Sequence, residues 1–316
     1  MCHTESVSDP VDRPTGPSHL CIGVVAPFST EEAIVAGPLL AAVRAVVASA
    51  GLDVRVIVHD DGRDPARAAD AIRALAAEPG CIGVVGPKNS GSAAAAAPLA
   101  AAAGLPLVLP CATADDLTGE TRTVFRLCAT DRATAAAAAT LATELGIVRL
   151  AVLADGTAYG QGLAGAVRAA ADAAGARCTE SVAGADGAFL AMGEVEQAEL
   201  MQQLRADGYR GPLISAEGGP DAPIARLAGP AAEGAWLLYA GTPVPGRTVY
   251  AAEAADAARI LLAVGRSGVG AIRHGHFDGE TGAIRFDAAG ERAGATVSRY
   301  RVVDGVARLA AEPVAT

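Results

Sequence analysis

Short apolar runs alternate with longer helical stretches along most of the chain, and that alternation sets the expected architecture. Residues 21–27, 54–58, 82–85 and 107–109 are brief, rich in Val, Ile and Leu, and closed by Gly, Pro or Asp, so they read as buried strands. Residues 36–50 and 65–77 between them carry helical spacing, with Asp64 before Pro65 as the expected N-cap. After Phe125-Arg126-Leu127 the rhythm starts again, with helix 133–145, strand 149–153, helix 162–174 and a strand near 178–182. Strand 188–191, helix 197–206 and strands 212–215 and 235–239 follow, then helix 251–264 and β-hairpins over 276–309. Strands alternating with helices imply a parallel sheet covered on both faces. The restart near residue 128 implies two such sheets.

Composition narrows the class. A chain of 316 residues is long enough for two lobes, because single cores stop growing at about 250–300 residues. A hydrophobic content of 51% with only 3% aromatic residues and 37 Gly describes an Ala/Val/Leu core with many tight turns, which argues against disorder. The net charge of −10 argues against nucleic acid or an anionic membrane as partner. Basic charge is almost all arginine, and Lys88 is the sole lysine. Residues 1–19 are polar and Pro-containing, with no basic start or apolar segment of a signal peptide. They read as a disordered tail on a cytoplasmic protein; a start site assigned too far downstream would instead make the protein periplasmic or anchored outside the cell.

Candidate chemistry gathers at two strand ends. Residues 82–86 run into Pro87-Lys88-Asn89-Ser90-Gly91-Ser92, and residues 105–109 run into Pro110-Cys111-Ala112-Thr113. Open parallel sheets bind ligands beyond the carboxyl ends of their strands. Ser90, Ser92 and Thr113 are good N-cap residues, and amides at helix starts suit a carboxylate. As mere helix caps, the same residues would carry no function. Gly160–Gly165 matches the spacing of a dinucleotide fingerprint, but five residues separate it from its strand. Gly86–Ser92 lacks the lysine position of a phosphate loop, and His274 and His276 have no third ligand beside them.

An ordered set of short motifs carries a resemblance. Asp60-Asp61-x-x-Asp64-Pro65, Gly86-x-x-x-Ser90-Gly91-Ser92, Pro110-x-Ala112-Thr113, Phe125-Arg126, Tyr159-Gly160-x-Gly162 and Glu217-Gly218 occur in succession. Ala232-Glu233-Gly234, Thr281-Gly282-x-Ile284-x-Phe286-Asp287 and Tyr300-x-Val302 complete it. From about residue 20 onward the chain resembles the leucine/isoleucine/valine-binding proteins, the type I periplasmic binding proteins of amino-acid ABC transporters. The resemblance implies two doubly wound parallel-sheet lobes joined by three crossovers. It places lobe 1 at residues 20–127 plus 242–289 and lobe 2 at 128–241 plus 290–316. It further implies a non-catalytic protein that closes on a small amino acid, amide or related zwitterion and delivers it to a permease. Ser90 and Thr113, with the main chain of Cys111, would hold the α-carboxylate. Glu217 would hold the α-ammonium, and Tyr159 would line the cleft.

Departures from the family pattern add expectations of their own. The positions that many members join by a disulfide are Arg63 and Asn89, and the six cysteines show no obvious replacement pairing. Such a loss fits a reducing compartment. Residues 183–187 stand where the family has a helix, and a second helix is missing between Thr242 and Arg247. A parallel crossover needs about a dozen residues, so the flanking strands should not pair and the sheets should be exposed there. A homodimer or an intracellular effector that reads the closed form could cover them. An aromatic clamp is replaced near Met192-Gly193-Glu194. Lys88 would be a surface charge, or a cation for a second acidic group on the ligand; Glu194, facing the cleft, would favour an amine. Cys111 beside an anion seat leaves open an enzyme that recruited the cleft. No cofactor is implied.

Overall fold

The structure, a computed structural model, describes residues 19–315; the polar segment 1–18 lies outside the described residues. The first part of the chain forms β1 (Leu20–Ala26), α1 (Ala33–Ser49), β2 (Val54–Asp60), α2 (Pro65–Ala77), β3 (Cys81–Val85), α3 (Ser90–Ala103), β4 (Leu107–Leu109) and β5 (Val124–Arg126). Their five strands make one parallel sheet in the order β2-β1-β3-β4-β5. The second part forms α4 (Asp131–Glu144), β6 (Arg149–Ala154), α5 (Ala158–Ala173), β7 (Arg177–Thr179), β8 (Gly187–Ala191), α6 (Glu194–Ala206), β9 (Leu213–Ser215), α7 (Pro223–Ala228) and β10 (Trp236–Tyr239). The chain then returns to the first sheet through α8 (Ala251–Val264), α9 (Gly268–His274), β11 (Phe277–Gly279) and β12 (Gly282–Ile284). It ends in the antiparallel pair β13 (Thr296–Val303) and β14 (Val306–Ala315).

The second sheet runs β14-β13-β10-β9-β8-β6-β7, so its parallel part repeats the winding of the first. Both sheets therefore reverse direction beside their first strand, between β1 and β3 and between β6 and β8, where such folds open a crevice. Three passages of chain join the sheets and touch one another. Ala129 N–H donates to the Ala240 carbonyl at 2.7 Å, and Arg126 N–H donates to the Gly290 carbonyl at 2.9 Å. The two parallel α/β sheets are those that the alternation predicts, and the three passages of chain between them are those that the resemblance implies. The core is made largely of Val, Leu, Ile and Ala, with Phe125, Phe189 and Tyr239 as its most deeply buried aromatic members.

The two short crossovers are present, but the sheets are not laid bare. The strand expected over 178–182 is only the three residues of β7, and β7 and β8 both flank β6 instead of pairing with each other. Because β7 is so short, residues 180–186 need only pass the N-terminal end of β6. Asp186 fixes them there: its carboxylate accepts from the N–H groups of Val148 (3.2 Å) and Arg149 (2.8 Å), and its own N–H donates to the Arg149 carbonyl (2.8 Å). Val182 and Ala185 pack against the core, and β8 is buried along its whole length. Residues 242–247 also lack a helix, yet Leu237, Leu238 and Tyr239 of β10 stay buried. The exposed faces that would have recruited a covering partner are thus absent at both places.

Smaller differences have local causes. Helix α5 begins at Ala158, four residues before its apolar spacing becomes regular, because the Thr157 hydroxyl accepts from Gly160 N–H at 3.0 Å as its N-cap. The glycines of the dinucleotide look-alike therefore lie inside a helix. Helices α7 and α9, at six and seven residues, are too short to show a period.

Candidate functional site

The carboxyl ends of β1, β3 and β4 in one sheet face those of β6, β8 and β9 in the other. Gly86 sets the first wall. Its φ is +100°, and a Cβ there would lie 2.3 Å from the Val25 carbonyl oxygen, so only glycine lets the loop after β3 turn this tightly beside β1. Asn89, not Ser90, occupies the N-cap position of α3, and Ser90 is its first helical residue. Ser90 is buried, and its Oγ accepts from Ala114 N–H at 3.3 Å, tying the β3 loop to the β4 loop. A hydroxyl that accepts there keeps its own O–H to donate. Thr113 is also buried, beside Asp131, whose carboxyl burial pushes up to about 6.

Six of the seven residues singled out by sequence surround one space. Lys88, Ser90, Cys111 and Thr113 come from the first sheet's loops; Tyr159 and Glu217 come from the second, with Asp131, Thr134 and Tyr250 closing the walls. This central space is small, about 40 Å³ for the centres of water-sized molecules. It adjoins a chamber of about 250 Å³ on the same measure, which shares Lys88, Asn89, Tyr159 and Glu217 as lining. The seventh residue, Glu194, is buried at the start of α6, with Oε2 3.6 Å from Lys88 Nζ.

Across the space the Tyr159 hydroxyl donates to Glu217 Oε1 at 2.6 Å. Burial, and then the nearby Glu194, push the Glu217 carboxyl well above the usual range, against the opposing pull of Lys88 and Tyr159. Donors at Ser90 and Thr113 thus stand on one lobe and an acidic acceptor on the other. That division suits the two ends of a zwitterion.

Lys88 is not a surface charge. Its side chain is only 9% exposed, and Nζ lies 2.9 Å from Glu32 Oε2. Burial alone would lower the pKa of this ammonium, but Glu194, Glu32 and Glu217 outweigh it and hold it well above the ordinary lysine range. The reciprocal effect acts on Glu32. Burial raises its pKa, while Lys88, Asn89 and Arg63 more than reverse that and hold the carboxyl below the usual range.

Glu32 was not visible as a site residue in the sequence, since the motifs there end at the strand. It nevertheless organises the chamber. Asn89 Nδ2 donates to its Oε2 at 2.8 Å, and Arg63 Nε lies 3.2 Å from its Oε1. Arg63 also reaches Glu31 (2.8 Å) and, across the cleft, Glu196 (2.6 Å). Arg63 and Asn89 are the two positions at which the family resemblance would place a disulfide. Here both grip one buried glutamate, so a polar bridge joins the same two loops. The five cysteines among the described residues are free.

Two further residues explain the fixity of the β4 loop. Arg126 is completely buried, donates to the carbonyls of Ala112 (3.4 Å) and Ala114 (2.5 Å), and is paired with Glu291 through Nε (2.9 Å) and Nη2. Cys111, in the same loop, directs Sγ at the Lys88 carbonyl (3.7 Å). Burial pushes its thiol well above the ordinary cysteine range, despite Lys88 nearby. A nucleophilic thiolate needs the opposite shift, so the geometry gives the Cys111 chemistry no support.

Comparison with known proteins agrees with this architecture. The leucine-binding protein LivK of Thermotoga maritima superposes with a TM-score of 0.83 at 21% identity, over 92% of this chain and 98% of that one. LivJ of Streptococcus pneumoniae, solved with isoleucine, gives 0.80 at 21% identity over 94% and 99%. A solute-binding protein of an ABC transporter from R. palustris, solved with benzoate, gives 0.80 at 17% identity over 94% and 98%. At these identities the likeness is one of fold. No curated protein matches the chain. Residues 20–183 match the family model described as periplasmic binding protein, and with more than half of its length so matched the chain belongs to the periplasmic binding protein family.

Proposed function

We propose that this protein captures a small zwitterionic ligand of amino-acid type between its lobes, without catalysis, as the substrate-binding component of an ABC transporter. The bodies that close are residues 20–127 with 242–289 and residues 128–241 with 290–316. The observation that carries the reading is the opposition of Ser90 and Thr113 on one lobe to the Tyr159–Glu217 pair on the other, around a buried space. Ser90, Thr113 and the Cys111 main chain receive the carboxylate; Glu217 receives the ammonium, with Tyr159 orienting it. Relatives of the same fold were solved with leucine, isoleucine and benzoate, all small molecules that carry a carboxylate. Binding shifts an open–closed equilibrium, because only the closed form offers both halves of the site. A permease that recognises the closed form is the partner this role requires.

Isothermal titration calorimetry of the purified chain against single amino acids, amides and small carboxylates tests the reading. Saturable binding by at least one amino acid, lost in both Glu217→Gln and Ser90→Ala, is the expected result. Binding only by carboxylates without an amino group, unchanged in Glu217→Gln, would overturn the zwitterion assignment.

A further inference from the structure

Two of the free cysteines are strand partners. In the parallel pairing of β1 with β3, Cys21 stands opposite Cys81. Adjacent strands lie about 4.8 Å apart, inside the span of about 4.4–6.8 Å that a disulfide bridges between Cα atoms. The two side chains also share one face of the sheet. Ile22 and Ile82, the next residue on each strand, sit in the core that holds Leu39 of α1 and Leu261 of α8. Successive residues of a strand point to opposite faces, so Cys21 and Cys81 turn the other way. There Cys81 packs against the separate core of Leu75, Val84 and Leu105. The thiols face each other closely enough to share a hydrogen bond.

The pair is covered but not sealed. Gly23, two residues along β1, lets α2 settle over this face, since a Cβ there would lie 2.5 Å from Leu75 Cδ1. Cys21 has no exposed surface. Cys81 is half-buried and lines an open pocket of about 210 Å³ for the centres of water-sized molecules, beside Leu75, Leu105 and Pro106. A reagent from solvent therefore meets Cys81 first, with Cys21 directly behind it.

We infer that Cys21 and Cys81 form a disulfide when the protein equilibrates with an oxidised thiol buffer, a covalent staple between β1 and β3. The Cys81 thiolate attacks one sulfur of glutathione disulfide, forms a mixed disulfide and releases one glutathione. The Cys21 thiolate then attacks the Cys81 sulfur and expels the second glutathione. The two protein thiols lose two electrons and two protons, and one glutathione disulfide becomes two glutathione thiols. Burial pushes the Cys21 thiol up to about 12 and raises that of Cys81 as well, so exchange is slow in the folded chain, and the equilibrium rather than the rate is the quantity to measure. This staple is separate from the bridge that the family resemblance would place at Arg63 and Asn89. Those positions follow the carboxyl ends of β2 and β3, whereas Cys21 and Cys81 stand at the opposite ends of their strands, away from the ligand loops.

The test holds the full chain in a glutathione redox buffer at pH 8.5, with sub-denaturing urea so that buried thiols open and reclose, until the thiol distribution is constant. Free thiols are then alkylated and the bridges located by fragmentation mass spectrometry. A peptide linking Cys21 to Cys81 should appear in most molecules. Because the bridge closes a loop of about 60 residues, the melting temperature should rise by about 5–15 °C over the reduced chain. Cys81→Ser should abolish both results, and the wild-type map alone decides the matter should that variant fail to fold. Both thiols recovered alkylated, or either one joined instead to glutathione or to another cysteine, would overturn the assignment.

Discussion

Removing the Lys88 ammonium is the most demanding perturbation of this cleft. Lys88→Met keeps most of the side chain's length and apolar stem but leaves Glu32 buried, with its exposure at 1%, and without its nearest cation. Breaking a buried ion pair from one side costs about 3–5 kcal/mol, because the remaining charge is stranded. At roughly 2–4 °C per kcal/mol for bodies of this size, the melting temperature should fall by about 6–20 °C. The sign of the pH dependence separates this cause from lost packing. In the wild type the Glu32 carboxyl is held below its usual value of 4.5, so its contribution is present above that pH and is lost as pH falls through the folded value. In the variant the pull of Lys88 is gone and only Asn89 and Arg63 remain to oppose burial, so the same group is held less low. The difference in melting temperature should therefore be widest at neutral pH and narrow below about pH 4.5. Calorimetric scans of both proteins from pH 4 to 8 give the result, and Lys88→Met/Glu32→Gln should recover part of the loss. A variant within about 0.5 kcal/mol of wild type at pH 7, the level expected of an ordinary surface substitution, would refute the buried-cluster reasoning.

Other expectations follow from the same groups. Binding of an ammonium beside Glu217, whose carboxyl burial holds well above the usual range, should expel a proton, so the binding enthalpy at neutral pH should differ between phosphate and Tris buffers; equal enthalpies would contradict it. Glu253 is buried against Thr242 N–H and Tyr239, and its carboxyl is raised from 4.5 to about 7. Its contribution is full below pH 4.5 and is lost as pH rises to about 7, a change of roughly 3 kcal/mol that Glu253→Gln should abolish in pH-dependent melting curves. Arg126→Met should destabilise by about 3–5 kcal/mol, since Glu291 and the Ala112 and Ala114 carbonyls lose their partner; chemical denaturation at pH 7 measures it, and a loss under 1 kcal/mol would deny Arg126 its bracing role. Cys111 should resist alkylation at pH 8 in the folded protein, and rapid labelling located by mass spectrometry would reopen its candidacy as a nucleophile.

The fold was legible because its determinants are local. Runs such as Ile82–Val85 and Leu107–Leu109 are too short and too apolar to be anything but buried strands, and the motifs at their ends fall in a fixed order. The placing of Ser90 and Thr113 beside one another was legible for the same reason, since each follows a strand end, whereas Tyr159 and Glu217 were pointed to only by the family resemblance. The electrostatics were not. Lys88 looked like a surface lysine because nothing in its own loop discloses the carboxyl groups that close on it from 56 residues earlier at Glu32 and from α6 at Glu194. The missing crossover helix was visible in the residue count. That β7 would shorten, so that Asp186 could carry the chain beneath β6 with the sheet still covered, depends on packing that no local pattern records.

The most direct measurement is a crystal structure of the protein with the amino acid that titrates most tightly. The ligand carboxylate should lie within about 3.2 Å of Ser90 Oγ and the Thr113 donors, and its ammonium within about 3.2 Å of a Glu217 carboxyl oxygen. A ligand seated with its carboxylate against Lys88 or Arg63, or outside the space between the two sheets, would contradict the site as described.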